Sequence, residues 1–286
     1  MVTASFAGVA TLAISDARTT LLTDGFFTRP PIAAVALGRI GPNARAIADG
    51  LAAMGVDHAA AVIVTHSHYD HALDAAETAR RTGAMLVGSE STAMIGRGAG
   101  LPSDRIVVAD PGQPLQFGAF TVTCVPTEHS PKPAWPGPIT NPLQAPARAS
   151  SYKMGECLLV HVSHTDESGR IRRMIVQASA GFRPGSLLEY PAEVAFLGVP
   201  TLGKQPSDYI EAYWRETVTL PGVRRVLPIH WDDFTRSARP EERLLPMPYL
   251  ADDLDAVRDF LHRKRESDQV NFAFPPRWTR FDPFAG

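Results

Sequence analysis

Apolar positions along this chain come in short runs broken by turn formers, and few stretches carry a sustained helical period. Residues 6–14 and 19–22 read as a hairpin with Ser15 and Asp16 in its turn. The TDGFFTRPP segment that follows sets Phe26 and Phe27 among glycine, threonine and proline, which marks a defined loop. Helical spacing returns over 43–54 and stops at Gly55. Residues 61–65 are a short continuous apolar run, as a buried strand would be. Next come a helix over 72–81 stopped by Gly83, a strand over 84–87, and a short helix opened by Ser89. Strands are expected at 106–108 and 120–125, and a hairpin at 152–162 and 171–178 around DESGR. A helix at 207–218, a strand at 225–229 and a helix at 250–263 complete the pattern. Residues 126–150 hold too much proline for a helix or a central strand. An irregular segment of that length in a compact chain is expected to be functional or disordered. The aromatic, proline-rich tail FAFPPRWTRFDPF is expected to pack across the surface.

Strands with a few helices, then strands with a few helices again, predict α+β architecture: stacked sheets with outer helices in one domain spanning 1–286. A chain of 286 residues can bury a large core, and 44% apolar with 20% charged residues places it among ordinary globular proteins. No stretch reaches the roughly 18 to 20 apolar residues of a membrane helix, and the mildly apolar start lacks the basic residues of a signal peptide. A net charge of −2 supplies no field to draw the chain to nucleic acid or an anionic membrane. The two cysteines, Cys124 and Cys157, form no CxxC pair and no disulfide framework, which fits a reducing compartment. The expectation is a cytoplasmic protein with a small-molecule substrate and no nucleic-acid or membrane partner.

Candidate chemistry is concentrated in AVIVTHSHYDH, where an apolar run ends abruptly in His66, His68, Asp70 and His71. Residues 66, 68 and 70 share a face on extended backbone. If the chain turns into a helix near Tyr69, His71 swings back beside Asp70. Imidazoles and a carboxylate at one strand end suit zinc or a neighbouring transition metal, and two adjacent donor sets suggest two ions. So short a segment cannot complete either shell. His129, after the strand in CVPTEHS, and His230, after the strand in RVLPIHWDDF, repeat the design of a short apolar strand with a donor at its end. His58, His161 and His262 are read as ordinary histidines, and His164 as a turn residue. Phe26, Phe27 and Trp135 are candidates for a substrate mouth, and Asp24, Asp74, Asp232 and Asp233 are candidates to orient imidazoles.

The HSHYDH run followed by single histidines after later strands resembles the metallo-β-lactamase superfamily. That resemblance implies a four-layer αββα sandwich and a metal-dependent hydrolase using a metal-activated hydroxide on a small ester, lactone or phosphoester. It also implies one or two zinc ions, with manganese or iron as alternatives. His66, His68 and His129 would hold the first metal, and Asp70, His71 and His230 the second, with Asp70 also orienting the nucleophile. The wording THSHYDH and PIHWDDF looks closest to the branch containing L-ascorbate-6-phosphate lactonase. One departure stands out. Many members place an acid at the end of a strand between the third and last histidines, whereas this chain reads VQASAGF, with Ser179 there as a spare polar contact. A non-hydrolytic metal protein or an iron-dependent oxidoreductase of the same fold is the alternative. A β-lactamase or a nuclease is less favoured.

Overall fold

The computed structural model describes residues 1–285. The first half builds a six-stranded sheet. Strands β1 (Thr3–Gly8), β2 (Thr11–Ser15) and β3 (Thr20–Thr23) form an antiparallel meander. Strands β4 (Ala61–Ile63), β5 (Met85–Gly88) and β6 (Ile106–Val108) extend it in parallel. Residues 6–14 are therefore not one strand. Gly8 (φ 113°) and Val9 (φ 51°) turn the chain between β1 and β2. A Cβ at Gly8 would overlap the Arg29 guanidinium and crowd Asp232, so the close approach requires glycine.

Helices connect these strands: α1 (Ile32–Leu37), α2 (Ala44–Met54), α3 (Tyr69–Ala72), α4 (Ala75–Thr82) and α5 (Glu90–Gly98). Asn43 caps α2 by accepting from the N–H groups of Arg45 and Ala46, and Gly55 closes it in the left-handed conformation. Ser89 caps α5 in the same way, accepting from Thr92 N–H. The helix expected over 72–81 is two pieces, α3 and α4. The first piece carries Asp70 and His71, so the chain turns helical within the histidine cluster itself.

The second half repeats the plan in a seven-stranded sheet. Strands β7 (Pro114–Phe117), β8 (Phe120–Thr127), β9 (Cys157–Thr165) and β10 (Ile171–Gln177) form an antiparallel meander. Strands β11 (Val194–Gly198), β12 (Arg225–Ile229) and β13 (Asn271–Phe272) continue in parallel. Helices α6 (Ser207–Trp214) and α7 (Leu254–Ser267) cover the outer face, α6 running on into a π-helical turn over Arg215–Thr219.

Three apolar clusters define four layers. Phe6, Leu12, Ile14 and Ile63 of the first sheet meet Phe120, Val160, Val176 and Phe196 of the second in the middle. Ile47, Leu51, Val62 and Ala79 pack α2 and α4 onto the first sheet, while Tyr213, Val226, Val257 and Phe260 pack α6 and α7 onto the second. The result is the expected αββα sandwich. The tail crosses the first sheet, with Trp278 N–H on the Phe6 carbonyl and Phe281 paired with Ala4. Because β8 and β10 run in the direction of β11 and β12, their C-terminal ends lie at one edge of the second sheet, and the chain leaving β4 meets that edge. Among the described residues, no helix is long and apolar enough to cross a membrane.

Candidate metal centre

All six sequence-predicted donors come together at this edge. His66, His68 and His129 form one group and Asp70, His71 and His230 a second, the donor atoms within each lying within 4.8 Å of one another. In the first group the three ring centroids are 4.9 Å apart pairwise, with planes 77° to 82° from one another. Three imidazoles thus converge as a propeller. Hydrogen bonds identify the inward nitrogens. His68 Nε2 donates to the Ala134 carbonyl at 2.7 Å, leaving Nδ1 for the centre. His129 Nδ1 donates to the Ser130 carbonyl at 3.0 Å, leaving Nε2. His66 Nδ1 faces the Thr65 hydroxyl, and its Nε2 is buried without a partner.

In the second group the inward atoms are measured directly. His71 Nε2 lies 3.2 Å from His230 Nε2, and Asp70 Oδ2 lies 3.5 Å from the first and 3.3 Å from the second. A tetrahedral ion 2.0 to 2.2 Å from each donor separates its ligands by about 3.4 Å. The triangle therefore has the dimensions of one face of a zinc-type shell. Two ring nitrogens aimed at each other beside a carboxylate call for a cation between them, and this donor set fits one.

Behind the donors sits one carboxylate. Asp24, in a left-handed turn (φ 55°) after β3, accepts from His71 Nδ1 at 2.6 Å and from Thr65 N–H at 2.8 Å. The Thr65 hydroxyl bonds Asp24 and stands 3.4 Å from Nδ1 of both His66 and His71. One buried acid thus reaches both donor groups, whose His66 and His71 rings are 3.9 Å apart. The other three candidate acids do different work. Asp74 holds the 26–28 loop through the N–H groups of Phe27 and Thr28. Asp232 pairs with buried Arg29 at 2.5 Å and accepts from Val9 N–H, and Asp233 bonds Thr235. These contacts frame His230, whose N–H donates to the Val9 carbonyl at 2.7 Å and whose φ of 57° is the left-handed conformation that non-glycine residues rarely take.

Electrostatics separates the groups. Burial, reinforced by neighbouring imidazoles, holds His66 well below its usual range, and burial likewise lowers His68. Burial and His68 bring His129 down to about 4. All three are neutral, as metal ligation requires. Burial opposes a charge on His71 too, but Asp70 and Asp24 outweigh it and raise the group. For Asp70, burial is outweighed by His71 and His230, and the carboxyl is held well below its usual range.

Residues 19–152 match the family model for a β-lactamase superfamily domain, a stretch that contains five of the six donors. That match spans a little under half of the chain and marks it as similar to the β-lactamase superfamily. The Mycobacterium tuberculosis protein Rv0906 is 28% identical over 231 residues, covering 78% of this chain and 54% of that protein. The chain thus matches about half the length of this curated relative. Igni18, a metallo hydrolase from Ignicoccus hospitalis, superposes with a TM-score of 0.56 at 15% identity, covering 98% of both chains. CmlA, a diiron β-hydroxylase from Streptomyces venezuelae, gives 0.57 at 15% identity over 98% of this chain and 53% of that one. Both likenesses establish the metallo-β-lactamase fold.

Other sequence candidates fall elsewhere. Phe26 is 1% and Phe27 8% exposed, both in the core between the first sheet and α2, because Asp74 pulls their loop inward. Both line a cavity with Arg29, Asn43 and Trp278 whose walls include none of the six donors. Ser179, also buried, accepts from Ser130 N–H at 2.9 Å and lies 2.8 Å from Ser130 Oγ. It anchors the backbone beside His129 rather than facing a substrate. Trp135 does border the centre, its ring 6.3 Å from that of His68. His161 bonds the Pro191 carbonyl and His164 bonds Asp16, both away from the donors. Sequence reasoning missed the Ala134 carbonyl, the Thr65 hydroxyl and the rings of Tyr69 and Phe234. For the rings, a signal existed: each lies within four residues of a predicted donor.

Proposed function

We propose that this chain is a metal-dependent hydrolase, with zinc as the physiological ion, acting on a small ester, lactone or phosphoester. The observation that carries the reading is the second donor triangle at ligand-to-ligand spacing, beside a propeller of three neutral imidazoles. His66, His68 and His129 would hold one ion through Nε2, Nδ1 and Nε2. Asp70 Oδ2, His71 Nε2 and His230 Nε2 would hold the second. Nitrogen and oxygen donors without thiolate suit zinc, and equally manganese or iron(II). When bound, such an ion lowers the pKa of water to about 7 and polarises a carbonyl or phosphoryl oxygen.

The chain's own residues do the rest. Asp70 would hold the second ion through Oδ2, which would leave its other oxygen to accept a hydrogen bond from a water and orient it. Asp24 keeps the proton of His71 on Nδ1, so that Nε2 presents its lone pair inward. The Ala134 and Ser130 carbonyls fix the tautomers of His68 and His129 in the same manner. Ser179 stands where a bridging acid would and is engaged with Ser130, so each ion would be held by three protein donors.

The test is metal content per chain together with a panel of activated esters, lactones and phosphodiesters. Zinc at one to two equivalents, with hydrolysis abolished by chelation and restored by zinc, is the expected result. The likeness to CmlA favours one second reading, an iron oxygenase of the same fold. Iron in the isolated protein, with oxygen consumption and no hydrolysis, would replace the hydrolase with that reading.

A further inference from the structure

The metal centre is flanked on one side by a row of aromatic rings. Trp135 stands edge-on to His68, ring centroids 6.3 Å apart. Tyr69 follows at 6.1 Å from Trp135, and Phe234 at 6.1 Å from Tyr69. Phe234 in turn is edge-on to His230 at 5.5 Å. The row therefore begins at a donor of the first triad and ends at a donor of the second. Tyr69 is buried and backed by Phe26 at 6.3 Å, whereas Trp135 and Phe234 keep part of their surface exposed. Asp70 and His129 also keep some exposure, so the centre opens to solvent.

Trp135 is held in place at some cost. Its φ of 45° is unusual for a bulky residue, and its carbonyl accepts from Met154 N–H at 2.9 Å. The preceding carbonyl is the one that fixes His68. The proline-rich loop thus sets a metal donor and an aromatic ring with consecutive residues. Half-exposed rings beside a polar centre bind apolar surface, and flat rings most of all.

We propose that Trp135 and Phe234, with buried Tyr69 packed behind them, form the substrate-selecting wall, and that the substrate carries a neutral, ring-sized apolar group next to the bond that is cleaved. The assignment rests on the hydrolase reading and narrows it to aryl or cycloalkyl esters and lactones. The test uses the zinc-loaded full chain and two esters with the same 4-nitrophenyl leaving group, one an acetate and one a phenylacetate. The native protein should prefer phenylacetate by about tenfold or more in kcat/KM. Trp135→Ala and Phe234→Ala should each pull that ratio toward one, chiefly through KM, and Trp135→Phe should restore it. Metal content and thermal unfolding of each variant guard against a loss of fold. A native ratio near one, or a ratio that neither alanine variant moves, overturns the wall. If neither ester is turned over, the ester part of the hydrolase reading fails by itself. Calorimetric binding of phenylacetate against acetate then decides the wall: preference for phenylacetate that the alanine variants abolish sustains it, and equal binding removes it.

Discussion

The two donor triads sit side by side yet are built on different principles. The first is all imidazole, depressed in basicity by burial and by its own neighbours, and oriented by carbonyls of the 130–135 loop. The second pairs two imidazoles with Asp70 and has a further carboxylate, Asp24, behind His71. An ion in the first would keep its full charge and would be the stronger polariser of a substrate oxygen. An ion in the second would be largely neutralised and the better anchored. Under the proposed function the difference would separate a working position from a holding position within one centre.

The harshest way to break this comparison is to empty one side. His68→Ala should remove the first ion and lower hydrolysis by on the order of 10³-fold, since a catalytic ion is worth several kcal/mol of transition-state stabilisation. Metal analysis should then find one equivalent fewer, with the second triad still filled. Next in size, Asp24→Asn withdraws the negative charge behind His71. Affinity at the second triad should fall about 10- to 100-fold, read by competition with a chelating dye, while the first triad changes less. Ser179→Ala sharpens the contrast from the other side. It leaves the buried Ser130 N–H without its acceptor, a loss of about 1 to 3 kcal/mol, and should loosen His129 and so weaken the first ion only.

The smallest effect lies at the opposite edge of the sandwich. There Asp16 accepts from the N–H groups of Arg18 and Thr19 and from His164 Nε2, tying the β2–β3 turn to β9. Burial would raise this carboxyl, but those donors outweigh it and hold it below the ordinary 3.8. A depressed carboxyl contributes stability that is present above the unfolded value and lost as pH falls through the folded one. Asp16→Asn should cost on the order of 1 kcal/mol at pH 7, and its gap from the native protein should close below pH 4 in denaturant titrations. Metal content should not move.

The donors were legible because they follow the ends of β4, β8 and β12, and strand ends at one sheet edge meet in space. Their orienting groups were legible only in part. Asp24 lies 47 residues from His71, and its contact is made by the β3–β4 pairing rather than by any local pattern. The strand β11, VAFLG, has no alternation to betray it because both of its faces are buried. The β1–β2 turn escaped notice because Val9, an unfavourable residue for a positive φ, completes it. Phe26 and Phe27 were candidates for a substrate mouth for want of any local sign that Asp74 draws their backbone inward.

Each triad also straddles the sandwich: His66, His68, Asp70 and His71 follow β4 of one sheet, while His129 and His230 follow β8 and β12 of the other. A bound ion would therefore be a rivet between the two leaves, and loading it should resist their separation. By mass action, free zinc at 100 times the Kd should add about 2.7 kcal/mol per site, so the melting temperature of the protein should climb with zinc concentration and report occupancy before any substrate is known.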